Sequence, residues 1–255
     1  MLYIDQFVYK NKMCHFHPLE KVIFAFVTIL LSVTTDKMAV HLAIMAVMLS
    51  LLVFKAGTPV TVVGKLLLAP TGFLLAGGLS LAVTVNVSAA GMLVALTIGN
   101  FYLGVTATSL ALATGVLLRS LSAVSALYFL VLTTPMTDLL HVLQLLRVPA
   151  MVIELVMLIY RFIFVFIETA FSIYAAQSAR LGFIDFRRSI TSFGVLFANL
   201  WGKAFFKSQA MYNSLLSRGY EGELKVLSPE YKFSLPNTLL FVLLELGLVS
   251  LVFVV

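Results

Sequence analysis

Long apolar runs separated by short polar turns dominate this chain, and five of them approach the length of a membrane crossing. The pattern predicts spans over 22–35, 38–54, 66–87, 109–134 and 236–255. Crossing the hydrocarbon core takes about 20 apolar residues in a helix. The first two runs are therefore short, and they draw on flanking residues or sit at the membrane edge. Pro70 and the Gly77-Gly78 pair mark the third span as kinked or closely packed. Its small residues Ala69, Gly72, Ala76, Gly77, Gly78 and Ala82 suit internal packing or a surface for another subunit. No Asp, Glu, Lys or Arg lies between Lys65 and Arg119, so residues 91–106, around Asn100, are expected to form an external loop or hairpin with little water contact.

Segment 151–176 is apolar enough to cross, but it carries Glu154, Arg161 and Glu168 at seven-residue spacing. Seven residues are nearly two helical turns, so the three share one stripe. A single crossing there would also carry Arg180, Arg187 and Arg188 outside, against the rule that basic loops stay cytoplasmic. The segment is expected to lie along the cytoplasmic membrane surface; the alternative is a sixth span returning over 191–201. A short helix over 137–147, capped by Thr137 or Asp138 and closed by Pro149, precedes it. A third helix over 189–217 follows. Phe193, Leu196, Phe197, Leu200, Ala204, Met211 and Leu215 follow helical spacing on one side of that helix, Asn199, Lys203 and Lys207 on the other, and Gly219 stops it.

The fold class that results is an all-α membrane protein. It has about five transmembrane helices plus a cytoplasmic domain of amphipathic helices, divided as 1–134, 135–235 and 236–255. Composition agrees: 61% of residues are hydrophobic and 11% charged, against about 25% charged in soluble domains. The formal charge of +6 is topological rather than a sign of nucleic acid. With the amino terminus inside the cytoplasmic (inner) membrane, every Lys and Arg outside the apolar segments except Lys37 falls on the cytoplasmic side. The lone Cys14 excludes an intrachain disulfide, and the first apolar run ends at Thr34-Thr35-Asp36 with no small-residue cleavage site.

Two arginine runs stand out, Ala179-Arg180-Leu181-Gly182 and Ser217-Arg218-Gly219-Tyr220. A guanidinium grips a carboxylate with two parallel hydrogen bonds. One basic residue at a helix end can simply complement the helix dipole. Two similar runs at comparable ends, 38 residues apart (218 − 180), point to a paired function. Within the spans, Arg119 and Glu245 carry opposite charge at similar estimated depth and are expected to pair; the alternative for Arg119 is backbone carbonyls or another subunit. Cys14, His15 and His17 are weak metal candidates, because a closed site needs more ligands and Pro18 suits a plain turn into the first span. No Gly-x-x-x-x-Gly-Lys loop and no His-Glu-x-x-His helix occurs, and the acidic residues are scattered, so no enzyme activity and no ATP hydrolysis by the chain itself are expected.

His17-Pro18-Leu19-Glu20-Lys21, the stretch from Leu118-Arg119-Ser120-Leu121 through Leu132-Thr133-Thr134-Pro135, and the two arginine runs together resemble the T component of energy-coupling factor (ECF) transporters, most closely the CbiQ family of cobalt uptake systems. The resemblance extends over most of the chain and rests on order and spacing. It implies a non-catalytic subunit joining two cytoplasmic ABC ATPases to a membrane-embedded substrate-binding subunit, CbiM-like and accompanied by a small CbiN-like chain. It also implies docking of the ATPases through Ala179, Arg180, Ser217, Arg218 and Gly219, although Leu181 intervenes before Gly182 in the first signature. ATP and Mg would sit on the partners, and cobalt, nickel or a vitamin would be the cargo. A different class of function is a stand-alone six-span carrier or channel with Arg119, Glu154, Arg161, Glu168 and Glu245 along its pathway. A conventional ABC permease half is disfavoured by the lack of a Glu-Ala-Ala-like loop.

Overall fold

The computed structural model describes residues 7–9, 11–14, 16–86, 92–98, 101–220 and 235–254. His15 and Asn100 lie outside them, as do Lys10, Lys225 and Lys232, which are among the basic residues placed on the cytoplasmic side. The chain divides into two compact units, and the division falls after Asp138. The first unit holds α1 (Pro18–Thr34), α2 (Met38–Ser50, continued by a π-helical turn Leu51–Lys55), α3 (Val60–Ala82), a small sheet, α4 (Ala107–Thr133) and α8 (Leu235–Val254). The helix α5 (Met136–Leu145) begins in the first unit and runs into the second, which also holds α6 (Ala150–Ala179) and α7 (Phe186–Leu216).

In the first unit α4 is the central post, packed by α1, α2 and α3. On α1 the buried face mixes small and polar residues with one aromatic ring, and most of the large apolar residues turn outward. The buried stripe is Lys21, Phe24, Ala25, Thr28 and Ser32, while Ile23, Phe26, Leu30 and Val33 are exposed. That inversion suits a lipid solvent, where close packing and interhelical hydrogen bonds hold helices together. An aromatic trio, Phe24, Phe129 and Phe241, ties α1, α4 and α8, with ring centroids 4.9–6.3 Å apart. Gly78 earns its place on α3: a Cβ there would meet Leu117 of α4 at 3.0 Å, whereas Gly77 faces open space.

The loop or hairpin expected over 91–106 is a β-hairpin, β2 (Met92–Ile98) and β3 (Phe101–Thr106), joined by β1 (Val83–Asn86) in the order β1-β3-β2, all antiparallel. The third span therefore ends at Ala82 rather than 87. Three consecutive β-branched residues, Val83, Thr84 and Val85, favour a strand where the apolar run would otherwise continue as helix. A capping box between Thr106 and Ser109 starts α4, and Ser109 Oγ donates to Ala82 O (2.8 Å), locking the start of α4 to the end of α3. The short helix expected at 137–147 begins one residue earlier, at Met136, so Thr137 and Asp138 lie inside its first turn rather than capping it.

By length and composition, five helices suffice to cross a membrane: Met38–Lys55, Val60–Ala82, Ala107–Thr133, Ala150–Ala179 and Leu235–Phe253. Four coincide with spans read from the sequence. The fifth is α6, with 30 residues and mean hydropathy 2.4, where the sequence reading has a surface helix. The first span read from the sequence corresponds to α1, which has only 17 residues.

Candidate functional site

The two long helices of the second unit, α6 and α7, form an antiparallel pair. Near the turn, Phe183 stacks on Tyr174 of α6 and Phe193 of α7, at 4.6 and 5.3 Å between centroids. At the opposite end, Tyr220 Oη donates to Glu154 Oε2 (3.0 Å). The two arginine runs thus sit at opposite ends of one hairpin, about 45 Å apart by the rise of a 31-residue helix.

Both runs are Schellman caps with the same hydrogen bonds. At the end of α6, Gly182 N–H donates to Gln177 O (2.9 Å) and Leu181 N–H to Ser178 O (3.0 Å). At the end of α7, Tyr220 N–H donates to Leu215 O (3.1 Å) and Gly219 N–H to Leu216 O (3.0 Å). Each motif needs one left-handed residue directly after its arginine. Gly219 supplies it at φ 77°, and Leu181 at φ 60°. Arg180 and Arg218 therefore hold the same position in the same motif, and Leu181 does what glycine does in the second run. Gly182 is required for another reason. A Cβ on it would lie 2.6 Å from Ser192 Oγ and 3.0 Å from Gln177 O, and Ser192 Oγ donates to Gly182 O (2.8 Å). Ala179, Arg180, Ser217, Arg218 and Gly219 are all exposed, and neither arginine has an ion-pair partner among the described residues.

The hydrogen bond to Glu154, helped by partial desolvation and the carboxylate's charge, holds the Tyr220 hydroxyl above its ordinary range. Glu154 is thus engaged by Tyr220, just past the end of α7, while Arg161 and Glu168 on the same stripe are exposed.

Arg119 and Glu245 are not paired. The Arg119 guanidinium meets the Asp36 carboxylate and donates to Thr35 O (3.2 Å) in the turn between α1 and α2. Glu245 accepts instead from Thr28 of α1 (3.2 Å). The arginine stem is long enough to leave its own depth and reach the polar turn, a contact that includes the backbone carbonyl weighed as its alternative. Beside it runs a polar cluster that the sequence reading missed. Ser32 Oγ and Ser122 Oγ are 2.6 Å apart, and His41 Nδ1 lies 3.1 Å from Ser122 Oγ. His17 caps α1 by accepting from Leu19 N–H (3.3 Å), Cys14 is a free thiol, and no group of three or more His, Cys, Asp or Glu that could hold a metal occurs among the described residues.

Residues 10–227 match the family model described as CbiQ, cobalt transport protein, a region that includes both caps. The chain belongs to the CbiQ family. Relatives agree. A protein of Methanocaldococcus jannaschii is 30% identical over 250 residues, 98% of this chain and 92% of its own length. A putative fused cobalt transport protein CbiMQ of Methanocorpusculum labreanum is 37% identical over 203 residues, 79% of this chain but 34% of that protein. The cobalt transport protein CbiQ of Salmonella typhimurium is 27% identical over 154 residues, 60% of this chain and 68% of that protein. CbiQ membership makes this a multi-pass membrane protein of a transport family, in keeping with its long apolar helices.

Proposed function

We propose that this CbiQ-family chain is the T subunit of an ECF-type importer for cobalt, passing ATP-driven motion from two cytoplasmic ATPases to a CbiM-like substrate-binding subunit. The observation that carries the reading is the pair of like caps at opposite ends of one helix hairpin. Each end offers a solvent-facing guanidinium on a rigid rod, as a subunit engaging two copies of one partner requires. A docked arginine would form a two-bonded contact with a carboxylate, and removing one partner of such a pair once buried costs about 3–5 kcal/mol. The caps carry no chemistry of their own; hydrolysis of ATP with Mg belongs to the ATPases. Cobalt as cargo and a CbiM-like neighbour are supported by the family and by the fused CbiMQ relative. On this reading the amino terminus is cytoplasmic and both caps face the cytosol of the inner membrane.

Co-expression with the neighbouring transport genes and affinity purification through this chain tests the assembly. The expected product holds two ATPase chains and a metal-binding membrane chain. The length and hydropathy of α6 favour one other reading, a sixth span in a stand-alone carrier. Labelling of a cysteine at Arg187 from the cytoplasmic face supports the T subunit, and labelling from outside supports the carrier.

A further inference from the structure

The last carbonyls of a helix have no partners within it. At the end of α4 those of Leu132 and Thr133 are taken by residues more than a hundred positions away. Asn11 Nδ2 donates to Leu132 O (2.9 Å), and Lys21 Nζ donates to Thr133 O (2.9 Å) and Met13 O (3.2 Å). Asn11 Oδ1 in turn accepts from Met13 N–H (2.8 Å), which fixes the turn that presents Met13 O to the amine. Lys12 N–H donates to Ala56 O (3.3 Å), so the same short segment also holds the end of α2. Lys21 is 0% exposed and heads the fully buried side chains by volume.

Burying an ammonium is costly, and an apolar side chain of similar length would avoid that cost but leave Thr133 O and Met13 O without this donor. Lys21 lies just before the apolar run that opens at Val22. Desolvation pushes its amine down to about 8, against the opposing pull of Asp138, Cys14 and Glu20. The amine offsets part of that cost by satisfying Thr133 O and Met13 O. Its position shows what it can control. Two residues after Thr133 comes Pro135, then α5, and Asp138 in the first turn of α5 is 3% exposed and acts electrostatically on Lys21. The division between the two units falls directly after Asp138.

We propose that Lys21 is a positioning residue for the joint between α4 and α5: its amine ties Thr133 O, directly before Thr134-Pro135, to Met13 O, and Asp138 of α5, buried in the same unit, supports it. By stiffening that joint it lets movement of the arginine-capped unit reach the membrane helices instead of being absorbed at Thr134-Pro135. The inference rests on the T-subunit reading.

The test uses the whole complex in proteoliposomes and measures cobalt taken up per ATP hydrolysed. In Lys21→Met, subunit stoichiometry and ATPase rate are expected to persist, while uptake per ATP falls several-fold. Asp138→Asn, which leaves the buried amine and its carbonyl contacts in place, is expected to lower the same ratio to a smaller extent. It also serves if Lys21→Met fails to assemble. An unchanged ratio in either assembled variant, or equal loss of hydrolysis and uptake, overturns the proposal. A wild-type complex without ATPases would instead refute the T-subunit reading itself.

Discussion

Leu181 and Gly219 occupy the same backbone position, the left-handed residue that closes a Schellman cap, at φ 60° and φ 77°. Glycine does this without strain, whereas a residue with a Cβ pays about 1–2 kcal/mol. Leu181→Gly is expected to raise the stability of the chain by about 1 kcal/mol, and Gly219→Ala to lower it by about the same amount. Chemical denaturation of the purified protein in detergent checks both signs. A loss of stability in Leu181→Gly would mean that the exposed Leu181 side chain makes a contact that outweighs its strain.

The equivalence of the two caps also shows what a sequence can and cannot disclose. Gly219 is legible as a helix stop, because glycine is the ordinary residue for a left-handed turn. Leu181 is not, because nothing in its propensity marks it for one, and the run reads as an imperfect copy until its hydrogen bonds are seen. The long helices follow from apolar runs. The strand at Val83–Asn86 is hidden because its valines continue such a run without a break. Lys21 reads as an ordinary loop charge, and only packing reveals it as buried.

Arg119 marks another limit of depth estimated from residue counts. Its side chain meets the Asp36 carboxylate and the Thr35 carbonyl rather than Glu245. A double-mutant cycle between Arg119→Ala and Asp36→Ala is expected to show a coupling of about 0.5 kcal/mol or more, while Arg119→Ala with Glu245→Gln should be additive within about 0.5 kcal/mol. Thermal unfolding of the three single variants, the two double variants and the wild type gives both values. Coupling only in the second cycle would contradict the observed partners.

The Tyr220–Glu154 hydrogen bond closes the end of the hairpin next to Arg218. Its hydroxyl ionises above the ordinary 10.0, chiefly because of that bond. The folded form holds the proton more tightly than the unfolded form. The bond's contribution is therefore complete below pH 10 and fades as pH rises through the folded value. Tyr220→Phe is expected to speed amide hydrogen exchange around 215–220 by the same factor from pH 7 to 9, with the difference from wild type shrinking above 10. An unchanged exchange rate at pH 7 would show that the bond does not hold this end.

The central claim is that Arg180 and Arg218 each hold one ATPase. Native mass spectrometry of the purified complex counts those chains directly. Arg180→Ala and Arg218→Ala are expected to have similar effects, each converting two bound ATPases to one, and the double variant is expected to hold none while keeping its membrane partner. A double variant that retains both ATPases and full cobalt uptake would contradict the account.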